Sequence, residues 1–422
     1  MDRPTLSRAP RIAYLTGRFP EVSLTFILRE VEALRAQGFE VLTCSIRRTP
    51  PEQHPGEAEK RAAATTFHVL EAVRNPLTLL AAQARRLRRP RRYLSALRLA
   101  WRTRAPGLRA ALYQLIFFIE ATVLARHLER ERVTHLHNHF VFGAATVAML
   151  VSELTGIPYS FTLHGPADLF EPYRWRLDEK TARATFVATI SHFARSQLMF
   201  FSDPRHWHKI RIIHCGVEPA RYAAPPAPRD DAEIRLVFVG RLAPVKGLRV
   251  LLSAFEGLGT ELPALRLVLV GDGPDRAALQ AAAAPLGDRV RFTGYMSQAE
   301  VAATLASADI CVLPSFAEGV PVVLMEALAS GRPVIATQVA GVGELVEEGV
   351  SGFLVPPGDA ESLADRIRRL AADPALQARM GAAGRARVQA DFDIRVEAAR
   401  LASLLSGTAG GAVRPAPLPP QR

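Results

Sequence analysis

The residues best suited to chemistry gather at four strand ends in the second half of the chain. The richest is Pro314-Ser-Phe-Ala-Glu-Gly-Val-Pro-Val-Val-Leu-Met-Glu, which ends at Glu326 and carries a second carboxylate at Glu318. The apolar run Ile310–Leu313 before it reads as a strand, Pro321 falls where a helix begins, and Gly331 falls just past its end. Glu318 and the amides of Gly319 and Val320 therefore belong at a helix N-terminus. Free N–H groups and the helix dipole there suit anionic or polyhydroxylated ligands. Glu326 is flanked by Val322, Val323, Leu324, Met325, Ala327 and Leu328. A helix apolar all round is buried, and a buried carboxylate requires donors. Sugar or ribose hydroxyls would supply them, as would internal amides.

A second strand end reads Val-Phe-Val-Gly240-Arg241-Leu-Ala-Pro-Val-Lys246-Gly. Arg241 and Lys246 suit a diphosphate, one as a fork and the other as a point charge. Two solvated surface cations would read the same way. The order Lys-Gly excludes a P-loop. The third, Gly271–Pro274, has Arg276 at the third glycine position of a dinucleotide fingerprint, and reads better as a turn with Asp275 capping the next helix. The fourth is Gly294–Tyr295, where glycine lets backbone approach a ligand beside an aromatic ring. In the first half His135, His137 and His139 alternate and share one strand face, as a metal site would require. No fourth ligand accompanies them, and a polar strand end lining an acceptor cleft is the alternative. The D-x-D pair Asp391 and Asp393 reads as the cap of the last helix rather than a metal site.

These loops need a scaffold. Arg11–Thr16 reads as a strand, Gly17–Pro20 as a turn, Thr25–Gln37 as a helix stopped by Gly38, and Phe39–Ile46 as the next strand. A helical stretch from Thr65 to Arg130 is punctuated by Pro76, Pro90 and Pro106–Gly107. A short strand, Thr134–Leu136, and a helix, Gly143–Thr155, follow. Strand Tyr159–Leu163 runs into His164–Gly165–Pro166, and further strands fit Phe186–Ile190 and Ile210–His214. After a Pro- and Ala-rich stretch the rhythm repeats, with strands at Arg235–Val239, Arg266–Val270, Arg289–Phe292, Ile310–Leu313 and Pro333–Thr337. Helices fit Leu248–Leu258, Asp275–Ala284, Gln298–Ser307, Pro321–Ser330 and Glu361–Ala371. The expected fold class is α/β, with two Rossmann-like doubly wound domains facing each other across a cleft. The expected divisions are 1–218 for the first domain with a basic helical region 65–130, 219–231 for a linker, 232–390 for the second domain, 391–406 for a terminal helix, and 407–422 for a disordered tail.

The 422 residues carry 49% apolar and 22% charged residues, which excludes wholesale disorder. Three cysteines cannot build a disulfide framework, and they read as reduced residues of a cytosolic protein. The net charge of +12 is uneven: residues 1–220 hold 32 Lys+Arg against 19 Asp+Glu, and the remainder hold 21 against 22. Ala72 to Ile119 contains eleven Arg and no acid. The N-terminus lacks the core of a signal peptide. The apolar stretch Ala110–Leu124, interrupted by Gln114 and Glu120, falls short of the ~20 residues that span a bilayer.

Taken together, Glu318 to Asp359, with Gly-Arg-Leu…Lys-Gly and Gly-Asp-Gly-Pro upstream, closely resemble the retaining glycosyltransferases of family 4, which have the GT-B fold. Phe19–Val41, His135–Phe140 and Tyr159–Phe170 are similar to the exopolysaccharide and colanic-acid branch. The resemblance covers about residues 11–405. It implies that Arg241 and Lys246 hold the donor diphosphate, that Glu318 with Gly319 and Val320 binds hydroxyls of the transferred sugar, and that Glu326 holds the ribose. Gly294 and Tyr295 would border the base. Gly240, Ser315 and Pro321 complete that donor set, and Gly17 stands where the family has a Gly-Gly turn. His164 would reach the donor sugar with Asp168 assisting, and His137 and His139 would lie on the acceptor side. The terminal helix, Ile394–Leu405, would cross back onto the first domain.

The implied reaction moves a sugar from a nucleotide-diphosphate sugar to a glycan acceptor, expected here to be lipid-linked, with retention and without a metal or other cofactor. Front-face attack, with the leaving phosphate helping to deprotonate the acceptor, follows from the resemblance. The arginine-rich segment Arg85–Arg104, with Tyr93, Leu94, Leu97 and Trp101, adds an expected anionic-membrane contact. That would place the protein in the cytoplasm, peripheral at the inner face of the membrane. No stacking motif accompanies the arginines, so nucleic acid is not an expected partner. A sugar-nucleotide epimerase of the same fold and an inactive partner protein are the alternatives.

Overall fold

A computed structural model describes residues 10–222 and 233–408. Most of the expected linker, from 223 on, and the tail from 409 lie outside the described residues. The chain divides into two compact units, one reaching Ile213 and resuming at Val396, the other running from His214 to Arg395.

The first unit is a seven-stranded parallel sheet. Its strands are β1 (Arg11–Arg18), β2 (Glu40–Arg47), β3 (Phe67–His68), β4 (His135–His139), β5 (Tyr159–Leu163), β6 (Val187–Thr189) and β7 (Ile210–Ile212), in the order β3-β2-β1-β4-β5-β6-β7. Alternation sends the residues of β1 to opposite faces. Ala13 and Leu15 pack with Phe118, Leu124 and Val147 from the helices Leu108–Arg130 and Gly143–Thr155. Ile12 and Tyr14 pack with Ile27, Val31 and Leu34 of helix Thr25–Ala36, and with Ala398, Leu401 and Leu405 of the terminal helix Ile394–Thr408. Burying each such leucine is worth about 1.5–3 kcal/mol.

The second unit is a six-stranded parallel sheet: β8 (Ile234–Val239), β9 (Leu265–Val270), β10 (Val290–Gly294), β11 (Ile310–Leu313), β12 (Val334–Thr337) and β13 (Gly352–Val355), ordered β10-β9-β8-β11-β12-β13. In both sheets the chain reverses direction beside the first strand, at β1/β4 and at β8/β11. The carboxyl ends there are where open α/β sheets bind ligands.

Several boundaries differ from the sequence reading, each for a local reason. β4 runs from His135 to His139, three residues past the expected strand Thr134–Leu136, because hydroxyls on β5 satisfy its side chains. β1 continues through Gly17 and Arg18, so the expected turn starts later. β3, β13 and the helix Pro374–Asp391 were not anticipated; β13 is four residues between turns, too short to show alternation. Pro321 is the N-cap of helix Val322–Ala329 rather than its first helical residue. Asp275 occupies the N-cap position of helix Arg276–Ala283 but its side chain makes no capping bond. Asp393, as expected, accepts the Arg395 amide at 2.9 Å.

Helix Leu108–Arg130 exceeds the apolar run that suggested it: 23 residues, long and apolar enough to cross a membrane. Its C-terminal half is core of the first unit, through Phe118, Ala121, Leu124, Ala125 and Leu128. The three cysteines are buried and form no disulfide among the described residues, and burial pushes the Cys44 and Cys311 thiols up to about 12.

Candidate active site

In the second unit the loops after β8, β9, β10 and β11 are tied together by backbone hydrogen bonds. The Leu242 amide donates to Asp272 O at 2.9 Å, the Gly271 amide to Gly294 O at 2.8 Å, and the Phe316 amide to Val245 O at 2.8 Å. The contact is so close at Gly247, where φ is +64°, that a Cβ would lie 2.0 Å from the Pro314 carbonyl oxygen. Gly247 follows the turn Pro244–Lys246 directly, so this approach fixes where Lys246 points.

Lys246 Nζ donates to Glu318 Oε1 at 2.6 Å, and Ser315 Oγ donates to the same oxygen at 2.6 Å. Ser315 is buried and is held in turn by Thr337, whose hydroxyl donates to its carbonyl. The Gly319 carbonyl accepts the Gly341 amide at 3.2 Å. By contrast, the Gly319 and Val320 amides donate no hydrogen bond among the described residues. They sit just before the helix Val322–Ala329, where the dipole is positive. Arg241, after the exposed end of β8, is itself exposed and makes no hydrogen bond or ion pair among the described residues. Gly240 joins it to the strand, and Tyr295 is half exposed after Gly294. Glu326 is 7% exposed, and the Tyr222 hydroxyl donates to its Oε1 at 2.9 Å. An internal donor thus meets part of its requirement, and it is a hydroxyl rather than an amide.

The first unit brings a second group together. His164, half-buried after β5, lies with Nε2 at 2.8 Å from His139 Nδ1. His139 Nε2 is 3.4 Å from Glu30 Oε1, and the Tyr14 hydroxyl donates to that oxygen at 2.6 Å. Burial lowers His135 and His139 to about 3 and holds His137 and His164 well below the ordinary histidine range. These imidazoles are therefore neutral near pH 7, each with one donor and one acceptor nitrogen. One ring nitrogen of the His139–His164 pair therefore donates to the other, while His139 Nε2 lies near Glu30 without a hydrogen bond.

Two expectations are corrected here. His137 is interior, with Nδ1 at 2.7 Å from Ser160 Oγ and Nε2 at 2.9 Å from Thr162 Oγ1, so both nitrogens are committed and it offers nothing to an acceptor. Asp168, 1% exposed, accepts the amides of His164 at 2.8 Å and Val141 at 3.1 Å. It latches the His164 loop and does not face a sugar. Burial raises it to about 6 and lowers its buried neighbour Lys180 to about 7. Lys180 Nζ donates to the Val141 carbonyl at 2.5 Å. Potential ligand atoms of Glu30, His137 and His139 lie within 4.8 Å of one another; Glu30 Oε1 and both His137 nitrogens already have hydrogen-bond partners, whereas His139 Nε2 has none. Gly17 is exposed at the end of β1.

Glu30, Tyr14, Lys180 and Tyr222 escaped the sequence reading. Glu30 had a signal, since it shares the apolar helical stripe of Ile27 and Leu34.

Residues 233–373 match the family described as Glycosyl transferases group 1, and residues 100–221 match Glycosyltransferase Family 4. The chain belongs to the family 4 glycosyltransferases. This glycosyltransferase is 28% identical over 418 residues to the colanic acid biosynthesis glycosyltransferase WcaL of Escherichia coli K12, covering 94% of this chain and 99% of the relative. It is 33% identical over 232 residues to the amylovoran biosynthesis glycosyltransferase AmsK of Erwinia amylovora, a match spanning 53% of this chain and 56% of AmsK. Among solved structures, sucrose-phosphate synthase from Thermosynechococcus elongatus superposes with a TM-score of 0.71 at 24% identity, over 94% of this chain and 98% of that one. HepE from Anabaena, in complex with UDP-glucose, gives 0.71 at 19% identity, over 94% and 99%. These likenesses establish the glycosyltransferase's GT-B fold.

Proposed function

We propose that this glycosyltransferase moves a sugar, with retention, from a nucleotide-diphosphate sugar to a lipid-linked glycan during exopolysaccharide synthesis. The observation that carries the reading is the group at the ends of β8 and β11: the Lys246–Glu318–Ser315 triad, with Arg241 and the Gly319 and Val320 amides unbonded among the described residues. Breaking a glycosyl–phosphate bond leaves charge on the diphosphate. Fixed cations aimed at it lower the barrier without reorganising. Arg241 and Lys246 supply that charge. Glu318, held by two donors to one oxygen, keeps its other oxygen for a sugar hydroxyl. Glu326, with Tyr222 beside it, receives the ribose.

Family membership and the names of WcaL and AmsK support the pathway, and the UDP-glucose bound to HepE supports the donor class. Front-face attack, with the leaving phosphate as base, follows from the family resemblance. The cation pair takes the electrostatic role that a metal would otherwise fill, so turnover without added metal is expected. We place the enzyme in the cytoplasm at the inner membrane face. Leu94, Leu97 and Trp101 are exposed beside Arg91, Arg98 and Arg102 on the helix Pro90–Arg102, an amphipathic face of the kind that adsorbs to anionic lipid.

A thermal-shift panel of UDP-, GDP- and other nucleotide sugars tests the reading, since a ligand bound only by the native state raises Tm predictably. One donor should stand out. Its product should keep the donor's anomeric configuration by NMR, with turnover unaffected by EDTA. No shift with any nucleotide sugar would overturn the function, and an inverted product the mechanism.

A further inference from the structure

Helix Thr25–Ala36 packs on β1 through Ile27, Val31 and Leu34, and Glu30 interrupts that apolar face at 7% exposure. A hydrocarbon side chain would fill the place at less cost, because a buried carboxylate gives up its hydration. The Tyr14 hydroxyl donates to Glu30 Oε1 at 2.6 Å and so fixes that oxygen. The same oxygen lies 3.4 Å from His139 Nε2, a buried nitrogen without a hydrogen bond among the described residues. His139 Nδ1 is in turn 2.8 Å from His164 Nε2. His137 cannot stand in for His139, since Ser160 and Thr162 take both its nitrogens. Phe26 and Phe140 lie against the His164 ring at 4.8 and 4.7 Å between centroids, and Asp168 holds its amide. Packing therefore sets where the His164 ring lies, and the remaining variable is which nitrogen carries its proton.

Two proton arrangements fit the bond between the two neutral rings. In one, both rings carry the proton on Nε2: His164 donates to His139, and the His139 N–H faces Glu30. In the other, both carry it on Nδ1: His139 donates to His164, and a bare His139 nitrogen faces Glu30. The contact between Glu30 and His139 lacks hydrogen-bond geometry, but charge acts across it, and more strongly in a buried setting than in water. An anion attracts an N–H and repels a lone pair. An ionised Glu30 thus selects the first arrangement, and the choice passes through His139 to His164.

We propose that Glu30 is a positioning residue: its carboxylate, acting through His139, keeps the His164 proton on Nε2, so that His164 Nδ1 serves as an acceptor for a hydroxyl of the transferred sugar. The sugar contact of His164 rests on the transferase reading above. The tautomer and its control by Glu30 do not, and they give that contact a direction: the sugar donates.

Nitrogen-15 NMR of the full-length protein with labelled histidine tests it, because long-range couplings to the ring protons distinguish the two tautomers. The His164 signal, assigned by its loss in His164→Gln, should show the proton on Nε2 at pH 7. A proton on Nδ1 in the wild type overturns the proposal without any further variant. Glu30→Gln keeps the shape and the acceptor for Tyr14 but removes the charge, and it should lower the Nε2–H population of His164 at least twofold. Should that variant not fold, Tyr14→Phe, which releases the Glu30 oxygen and keeps the ring, should move the signal the same way. An unchanged tautomer would remove Glu30 from the role. Binding supplies the second readout, with the nucleotide sugar that raises Tm most and its own nucleoside diphosphate. Glu30→Gln should weaken the nucleotide sugar roughly fivefold or more and leave the nucleoside diphosphate unchanged. A merely structural role would move both affinities or neither, and either result overturns the positioning role while the transferase reading stands. If no nucleotide sugar binds the wild type, the transferase reading falls and takes the sugar contact with it, and the tautomer is judged by the spectrum alone.

Discussion

At the proposed donor site Lys246 and Arg241 would divide one task in different ways. Lys246 is already engaged, bonded to Glu318 at 2.6 Å, so its position is set before any ligand arrives. Arg241 is exposed and unpaired, so a diphosphate would be its first partner. Removing either should cut turnover by roughly 100-fold, the scale of a lost transition-state donor. The two losses should differ in side effects. Arg241→Ala should leave Tm almost unmoved, because nothing in the folded chain depends on it. Lys246→Ala should lower Tm, because Glu318, with a side chain only 10% exposed, would keep its charge without its cation. Activity at the wild-type rate in either variant would remove that residue from the phosphate site.

At the scale of elements, short loops set these side chains by close packing. Gly247→Ala would combine an unfavourable φ of +64° with a Cβ 2.0 Å from the Pro314 oxygen. A destabilisation of about 1–3 kcal/mol in urea unfolding is expected, together with weaker nucleotide binding, because Lys246 is the preceding residue. Asp168→Asn is the matching test in the first unit. An amide has one acceptor oxygen where the carboxylate supplies two, so the amide of Val141 or His164 would lose its partner. The cost should be about 1–3 kcal/mol, with slower turnover from a loosened His164 loop. A variant as stable as the wild type would show that the latch is unimportant.

For the molecule as a whole, charge and buried titratable groups matter most. His135 has a folded pKa near 3 against 6.5 in the unfolded chain. Its contribution is present above about pH 6.5 and is lost as pH falls toward 3, because the unfolded state then binds the proton. At pH 5 that is roughly 2 kcal/mol. Asp168 and Glu120, raised to about 6 and 7, gain relative stability over part of the same range. The clean reading is therefore a difference: between pH 7 and pH 5, His135→Asn should lose about 2 kcal/mol less than the wild type. Equal losses would mean that the histidine is not held neutral. The basic surplus of the first half also changes meaning. Arg85 bonds Glu129 at 2.6 Å, the buried Arg86 also pairs with it, and Arg89 lies 3.7 Å away, so part of the run is structural. Binding to anionic vesicles should depend on Arg91, Arg98 and Arg102, and replacing all three by Gln should abolish co-sedimentation. Equal binding to neutral vesicles would end the membrane reading.

The sequence by itself determined the two α/β units and most strand positions, and it singled out the residues proposed here for the donor side. Those signals are local: apolar runs bounded by glycine and proline, and short motifs whose chemistry depends on neighbours along the chain. Gly240–Arg241, Lys246–Gly247 and Glu318–Glu326 were legible for that reason. Tertiary structure alone decided that Lys246 and Ser315 meet on one oxygen of Glu318, that Asp168 is a latch, and that His137 is sealed inside while His139 bonds His164. Each of these joins residues far apart in the chain, and burial decides the role. A histidine or an aspartate reads the same in sequence whether its partner is a ligand or the next strand. Only the folded sheet brings the committing hydroxyl or amide within hydrogen-bonding distance.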